Sequence, residues 1–163
     1  MITFLRSDDR LIHGQVQTKI IPMYNINRVI AIDEPTALNP TLKKIFEMAA
    51  PQGVRATVTT FEDAVVSIGK CMVNDKKTLI LARRPSTFVQ VYERFPDLPK
   101  EFNVANIPHV GEAVEVAYDI WLNADEMNAV KKLASMGVKI HFQLYPGMQG
   151  KSCWWDEVKD QYR

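Results

Sequence analysis

Short apolar runs alternate with longer amphipathic segments along the chain, and this alternation limits the possible folds more than any other feature of the sequence. Residues 28–33 (RVIAID) and 78–82 (TLILA) are continuous apolar runs, which are typical of strands buried on both faces of a parallel sheet. Residues 61–72 lie between them and carry apolar residues at helical spacing. The alternation therefore predicts an α/β fold: a single domain with an open, mostly parallel sheet and helices on both faces.

The same patterns predict the individual elements. Strands are predicted at residues 1–5, 28–33, 54–60, 78–82, 101–107 and 138–145. Helices are predicted at residues 16–23, 35–50, 61–72, 86–95, 123–136 and 151–162. Within the second helix, Leu42, Ile45, Phe46 and Ala49 are expected to face inward, and Ser86 is expected to cap the fourth. Asn123 or Asp125 caps the fifth, and residues 108–119 are assigned to a long loop with a short strand.

Composition excludes several classes of function. The 163 residues are 47% hydrophobic and carry a net charge of +1, and they contain no lysine or arginine run that would indicate a nucleic-acid partner. No apolar stretch is long enough for a membrane span, and no signal peptide is recognised. Cys71 and Cys153 are far apart and lack metal-ligand spacing, which favours reduced thiols in a cytoplasmic protein. The length predicts one domain over residues 1–163.

One histidine stands out at the end of the first predicted strand. His13 lies in the stretch LRSDDRLIHGQV (residues 5–16), between a strand and a helix. Ligands of open α/β sheets bind at this edge, and helix N-termini and arginines attract phosphate. Gly14 allows a backbone to approach a ligand closely. The residues alone therefore indicate an anion beside His13, with a loop of solvated charges as an equally supported alternative.

A resemblance decides between these alternatives. The nine residues 8–16 (DDRLIHGQV) are similar to the signature of the IIB components of the mannose/fructose/sorbose family of the bacterial phosphotransferase system. The resemblance implies that Nδ1 of His13 accepts a phosphoryl group from a phospho-IIA protein. It implies transfer to a sugar held by a membrane IIC/IID complex, with the activity of a protein-N(pi)-phosphohistidine–sugar phosphotransferase. No metal or organic cofactor is implied, and the protein is expected at the inner face of the membrane through its partners.

The predicted site residues follow from the motif. His13 is the phosphoryl acceptor, and Arg10 is the first candidate to clamp the phosphoryl oxygens. The ring nitrogen that does not react needs an acceptor, which Asp8, Asp9 or a backbone carbonyl would supply. Arg6 is the second candidate for the clamp, although strand alternation is expected to point it away from the crevice. The alternative role for both arginines is ion pairing with Asp8 and Asp9. The predicted phosphate-binding residues are Arg6, Asp9, Gly14, Gln15 and Ser86.

Other positions leave alternatives open. Ser86 follows Arg84-Pro85 where related proteins often have Asn-Pro, and it either contacts phosphate or only caps a helix. His109 either faces His13 or lies on a surface loop, whereas His141 is predicted to be a sheet residue without a ligand. Trp154 and Trp155 are predicted to pack a terminal helix on the sheet, with a docking patch for a partner as the alternative.

Two rival functions remain at this level. The first is a regulatory module in which His13 is phosphorylated without sugar transfer, and the second is an anion-binding α/β domain without catalysis. The sequence does not indicate which sugar is used or what the oligomeric state is.

Overall fold

The computed structural model describes residues 1–162 and contains nine strands within them. The strands are β1 (Ile2–Ser7), β2 (Arg28–Ile32), β3 (Arg55–Thr59), β4 (Thr78–Ala82), β5 (Glu101–Val104), β6 (Ala113–Ala117), β7 (Ile120–Asn123), β8 (Lys139–Phe142) and β9 (Cys153–Trp154). Seven strands form one sheet in the order β3-β2-β4-β1-β5-β8-β9, in which only the β8–β9 pairing is antiparallel. β6 and β7 form a separate antiparallel hairpin. The predicted mostly parallel sheet is therefore confirmed.

The helices cover both faces of this sheet. They are α1 (Ile21–Tyr24), α2 (Glu34–Ala37), α3 (Pro40–Met48), α4 (Phe61–Met72), α5 (Pro85–Arg94), α6 (Ala124–Ser135) and α7 (Trp155–Val158). A π-helical turn, Val16–Ile20, leads into α1, and a 3₁₀ turn, Lys159–Tyr162, follows α7.

Two hydrophobic clusters explain why the sheet is covered on both sides. Ile20 and Phe46, from the segments on one face, pack with Val29 and Leu81 of the central strands. On the other face, α4, α5 and α6 pack against side chains of the same strands, such as Ile80. Since β2 and β4 are buried on both faces, their side chains are apolar almost throughout, as the sequence indicates.

Several predicted boundaries are wrong for identifiable reasons. The predicted helix 35–50 is two helices, because Asn39 precedes a proline and is extended, and its side chain caps the second. Leu42 and Ile45 were expected inside but are 42% and 58% exposed. The fourth helix is not capped by Ser86: Arg84 is the N-cap, and Pro85 takes the first helical position.

Two further differences concern the end of the chain. The predicted helix over residues 151–162 is instead strand β9 followed by short helical turns. Trp155 is buried against Phe142 of β8, whereas Trp154 lies in β9 and stacks on His141. The short strand predicted within residues 108–119 is β6, which pairs with β7 in a hairpin. Asn123 at the end of the hairpin caps α6, as expected.

Candidate active site

The loop that follows β1 carries His13 and is anchored to strand ends on both sides of β1. The backbone N–H of Asp8 donates to the carbonyl of Ala82 at the end of β4, over 2.9 Å. The N–H of Asp9 donates to the carbonyl of Asn106, just past β5, also over 2.9 Å. Leu11 is fully buried with a positive φ of 52°, which reverses the chain toward His13. The sheet order thus places His13 at the carboxyl edge of the central strands.

Asp8 is the centre of this site. Its carboxylate is buried and its Oδ2 lies 2.8 Å from His13 Nε2 and 2.8 Å from Arg6 Nη2. Its Oδ1 accepts the backbone N–H of Arg10 over 3.1 Å. Of Asp8, Asp9 and a backbone carbonyl, which were the candidate partners of the His13 ring, it is Asp8 that contacts the ring.

The ionisation of Asp8 fixes the tautomer of His13. Burial opposes the carboxylate, but the hydrogen bond with His13 and the charge of Arg6 outweigh it and hold the pKa of Asp8 below its usual range. An ionised carboxylate only accepts, so the proton of a neutral His13 ring lies on Nε2. Nδ1 then carries a lone pair, and the backbone N–H of Gln15 points at it over 3.4 Å. The His13 side chain as a whole is 15% exposed.

Arg6 supports Asp8 from inside the protein. Its guanidinium is fully buried and donates to the Asp8 carboxylate, to the Leu144 carbonyl over 2.7 Å and to the Asn103 side chain. Burial lowers the pKa of Arg6, and the Asp8 carboxylate opposes this effect. Alternation was expected to point Arg6 away from the crevice. It instead lies in the His13 network, because its Nη2 donates to the same Asp8 carboxylate oxygen that contacts His13 Nε2.

Arg10 lies on the solvent side of the loop. Its side chain is 42% exposed, and its Nη2 donates to the Gln15 side chain over 3.0 Å. Its Nε lies 3.4 Å from Asp8 Oδ1, so this hydrogen bond of the guanidinium is long and weak. Gly14 is exposed and has open space where a Cβ would lie. Arg10 is consequently the arginine of the motif that is accessible to an incoming anion.

Two arginines after β4 were not predicted as part of this loop. Arg84 Nη2 lies 2.9 Å from Asp9 Oδ1, and Arg83 donates to the Asp9 carbonyl while pairing with Asp33 over 2.9 Å. Asp9 is therefore held by Arg84 rather than by the arginines of the motif. The pair Arg83-Arg84 follows a predicted strand, which is the only sequence signal for this role.

The remaining candidates lie in other environments. The N–H and hydroxyl of Ser86 both donate to the carboxylate of Glu126, over 2.9 and 2.8 Å, so these donors are occupied. His109 is exposed and packs on Trp121, and His141 is stacked on Trp154 within the sheet. Residues 1–162 hold no group of three or more potential metal-ligating side chains and no helix long and apolar enough to cross a membrane.

The fold and the loop define a class of protein, namely a mostly parallel α/β domain with a histidine at the carboxyl edge of its sheet. The model of the PTS system sorbose subfamily IIB component matches residues 2–160, and the chain belongs to this family. It is 26% identical to the sorbose-specific EIIB component of Lacticaseibacillus casei, with 88% of this chain and 87% of that protein covered. It is 23% identical to an N-acetylgalactosamine-specific IIB component of Escherichia coli, over 89% and 91% of the two chains.

Solved structures agree with this assignment. The crystal structure of manxB from Thermoanaerobacter tengcongensis superposes with a TM-score of 0.85 at 26% identity, covering 99% of this chain and 96% of that one. The protein is thus a IIB component of the sorbose/mannose family and a component of a phosphotransferase system.

Proposed function

We propose that this protein accepts a phosphoryl group on His13 from a phosphohistidine of a IIA protein and passes it to a sugar hydroxyl. The specific activity is then that of a protein-N(pi)-phosphohistidine–sugar phosphotransferase. The single observation that carries the proposal is the 2.8 Å contact between His13 Nε2 and the ionised Asp8, which leaves Nδ1 without a proton and therefore nucleophilic.

The two transfers balance without a cofactor. In the first, the lone pair of Nδ1 forms a bond to phosphorus while the donor's N–P bond breaks and its electron pair returns to the donor ring. In the second, the sugar oxygen forms the bond to phosphorus, the P–Nδ1 electrons return to His13, and the hydroxyl proton leaves to water. Phosphorylated His13 that retains the Nε2 proton is a cationic ring, which the Asp8 carboxylate stabilises.

Charge on the moving phosphoryl group is balanced by Arg10. Phosphoryl transfer depends mainly on positioning and on electrostatic stabilisation of the phosphoryl oxygens. Arg10 is exposed beside His13, and Gln15 offers its backbone N–H to the same side of the ring. Gly14 keeps this approach open. Arg6 and Asp9 fix the conformation of the loop and do not themselves bind the phosphoryl group. Arg6 forms an ion pair with Asp8, and Asp9 forms an ion pair with Arg84.

The partners follow from this role. Residues 1–163 act as one IIB domain that meets a phospho-IIA protein and a membrane IIC/IID complex in turn. The protein then works in the cytoplasm, at the inner face of the membrane, through these partners. A purely regulatory phosphoprotein would complete only the first of the two transfers.

The test is labelling with phosphoenolpyruvate, the general phosphotransferase proteins and a IIA protein. We expect His13→Ala to lose all acid-labile, alkali-stable label, while His109→Ala and His141→Ala, the matched controls, keep it. Labelling of His13→Ala at the parent level would refute the assignment. Heteronuclear NMR of the ¹⁵N-labelled phosphoprotein then identifies the reacting nitrogen, and phosphorus on Nε2 would contradict the role given to Asp8.

A further inference from the structure

The chain makes a tight turn between Asp8 and Leu11, shortly before His13. The backbone N–H of Leu11 donates to the carbonyl of Asp8 over 3.0 Å, so Asp9 and Arg10 are the two central residues of the turn. The peptide that joins two such residues can point in either of two opposite directions, and this is the difference between type I and type II turns. Its orientation decides where the N–H of Arg10 points.

Both sides of this central peptide are held by charged side chains. Its N–H, which belongs to Arg10, donates to Asp8 Oδ1 over 3.1 Å, a short-range bond that favours aspartate at the start of a turn. Its carbonyl, which belongs to Asp9, accepts from Nη1 of Arg83. The N–H and carbonyl of a trans peptide point in opposite directions, so the peptide lies between the Arg83 guanidinium and the Asp8 carboxylate.

The Asp8 carboxylate connects this peptide to His13. Its Oδ1 accepts the Arg10 N–H, and its Oδ2 lies 2.8 Å from His13 Nε2. If the peptide turned over, the Asp9 carbonyl would face the Asp8 carboxylate and the Arg10 N–H would face Arg83. Two favourable contacts would then become repulsive ones. The orientation of the peptide therefore fixes the carboxylate that sets the tautomer of His13.

Arg83 is itself fixed by groups outside the loop. Its Nε lies 2.9 Å from Asp33 Oδ1, and its Nη2 lies 3.4 Å from Oδ2 of the same carboxylate. Asp33 is buried at the end of β2 and also accepts the backbone N–H of Thr36. The guanidinium lies 5.8 Å from the centre of the Phe46 ring. Because these contacts already order the side chain, its bond to the Asp9 carbonyl costs little further conformational entropy.

The register of the sheet explains why Arg83 reaches this turn. β1 and β4 are parallel neighbours with Ser7 opposite Ala82, and the carbonyl of Ala82 accepts the N–H of Asp8. Arg83 therefore leaves β4 where Asp8 leaves β1, at a distance of one strand spacing, about 4.8 Å. Arg84, the next residue, contacts the carboxylate of Asp9 and not the peptide.

We propose that Arg83 is a positioning residue for phosphotransfer, which locks the Asp9–Arg10 peptide so that the Asp8 carboxylate stays turned toward His13 Nε2. The proposal rests on the proposed function, which makes Nδ1 of His13 the phosphoryl acceptor. Arg83 does not touch the phosphoryl group; it acts through the peptide and through Asp8. The reactivity of His13 then depends on a residue that lies outside its own sequence motif.

The first measurement is NMR of the unphosphorylated full chain, in which Arg83→Gln and Arg83→Lys are compared with the parent. In Arg83→Gln we expect the Arg10 amide proton to move to lower chemical shift, because its hydrogen bond to Asp8 weakens. The ¹⁵N shifts of the His13 ring should move toward the tautomer protonated on Nδ1. Arg83→Lys keeps the charge but not all the contacts, so it should restore part of both shifts. Parent values for both signals in Arg83→Gln would overturn the proposal.

The second measurement is single-turnover phosphotransfer at several concentrations of phospho-IIA. The limiting rate of Arg83→Gln should fall roughly tenfold, as expected for the loss of one hydrogen bond to a charged group. The concentration that gives half the limiting rate should not change, because Arg83 acts inside the loop. A parent limiting rate with a higher half-saturating concentration would make Arg83 a docking residue for phospho-IIA and would overturn the proposal.

Two matched variants separate the contact with the peptide from a general effect of charge. Arg84→Gln removes the same charge from the adjacent residue, whose side chain is 32% exposed against 33% for Arg83. It should leave the Arg10 amide proton in place and slow transfer less than Arg83→Gln does. Arg94→Gln, at the exposed end of α5, should leave both measurements unchanged.

The remaining outcomes are also decisive. Equal effects of Arg83→Gln and Arg84→Gln on the Arg10 amide proton and on the limiting rate would show a general charge effect and overturn the proposal. Failure of the parent protein to be phosphorylated would instead refute the proposed function. The NMR comparison does not depend on phosphorylation, so it would still decide whether Arg83 locks the peptide.

Discussion

His13 Nε2 and Asp8 Oδ2 lie 2.8 Å apart, and the same carboxylate oxygen lies 2.8 Å from the guanidinium of Arg6. One buried carboxylate therefore sets the ring tautomer of His13 and balances the charge of a buried arginine. This double role links the stability of the protein to its proposed chemistry, and it leads to the first two predictions.

Asp8→Asn should destabilise the protein strongly. The substitution leaves the Arg6 guanidinium buried without an opposite charge, and breaking a buried pair in this way typically costs about 3–5 kcal/mol. The measurement is the free energy of unfolding in urea. Asp9→Asn is the matched control, because the Asp9–Arg84 pair is about 30% exposed and should cost less than about 1 kcal/mol. Equal losses in the two variants would contradict the role of Asp8.

The contribution of Asp8 to stability should depend on pH. The folded pKa of Asp8 is below its unfolded value, since the hydrogen bond from His13 and the charge of Arg6 outweigh burial. Its contribution is fully present above the unfolded pKa of about 3.9 and is lost as the pH falls through the lower folded pKa. The difference in unfolding free energy between the parent and Asp8→Asn should therefore be constant above about pH 5 and shrink as the pH falls below about 4. A constant difference would show that ionisation of Asp8 is not the source of the stability.

Arg10→Lys should slow phosphorylation by phospho-IIA. Lysine cannot reproduce the planar pair of donors, and one charge-assisted hydrogen bond is worth roughly 1.5–3 kcal/mol, on the order of ten- to a hundredfold in rate. Thermal stability should change little, because the Arg10 side chain is 42% exposed. Single-turnover transfer measures the effect, with Arg55→Lys on the exposed side of β3 as the control. Phosphotransfer by Arg10→Lys at the parent rate would show that Arg10 stabilises the loop and does not bind the phosphoryl group.

Ser86→Ala should leave phosphotransfer unchanged. Both donors of Ser86 contact Glu126, so the substitution removes a partner from that carboxylate and no phosphate ligand. The expected cost is structural, about 1–3 kcal/mol of unfolding free energy, because Glu126 is buried and loses a hydrogen bond. The same single-turnover and urea measurements decide the matter. A Ser86→Ala variant with slow phosphotransfer and unchanged unfolding free energy would show that Ser86 does contact the phosphate.

Much of the site was predictable because it is local in sequence. Asp8, Arg10, His13 and Gln15 fall within eight consecutive residues, so a single tight loop brings them together whatever the rest of the chain does. The choice of Asp8 over Asp9 as the partner of His13 was not predictable. It depends on which carboxylate is turned inward, and Asp9 is turned outward by Arg84, 75 positions away.

The sequence by itself determined the class of fold and the position of His13. The periods of apolar residues distinguish strands from helices, and continuous apolar runs such as β2 and β4 can be buried only inside a covered parallel sheet. Tertiary structure alone decided the partners of Arg6, of Ser86 and of Arg83. Those contacts depend on the strand order and on the β6–β7 hairpin, which bring Asn103, Leu144, Glu126 and Asp9 to their places. Periodicity records which face of an element is buried, but it carries no information about which distant element covers that face.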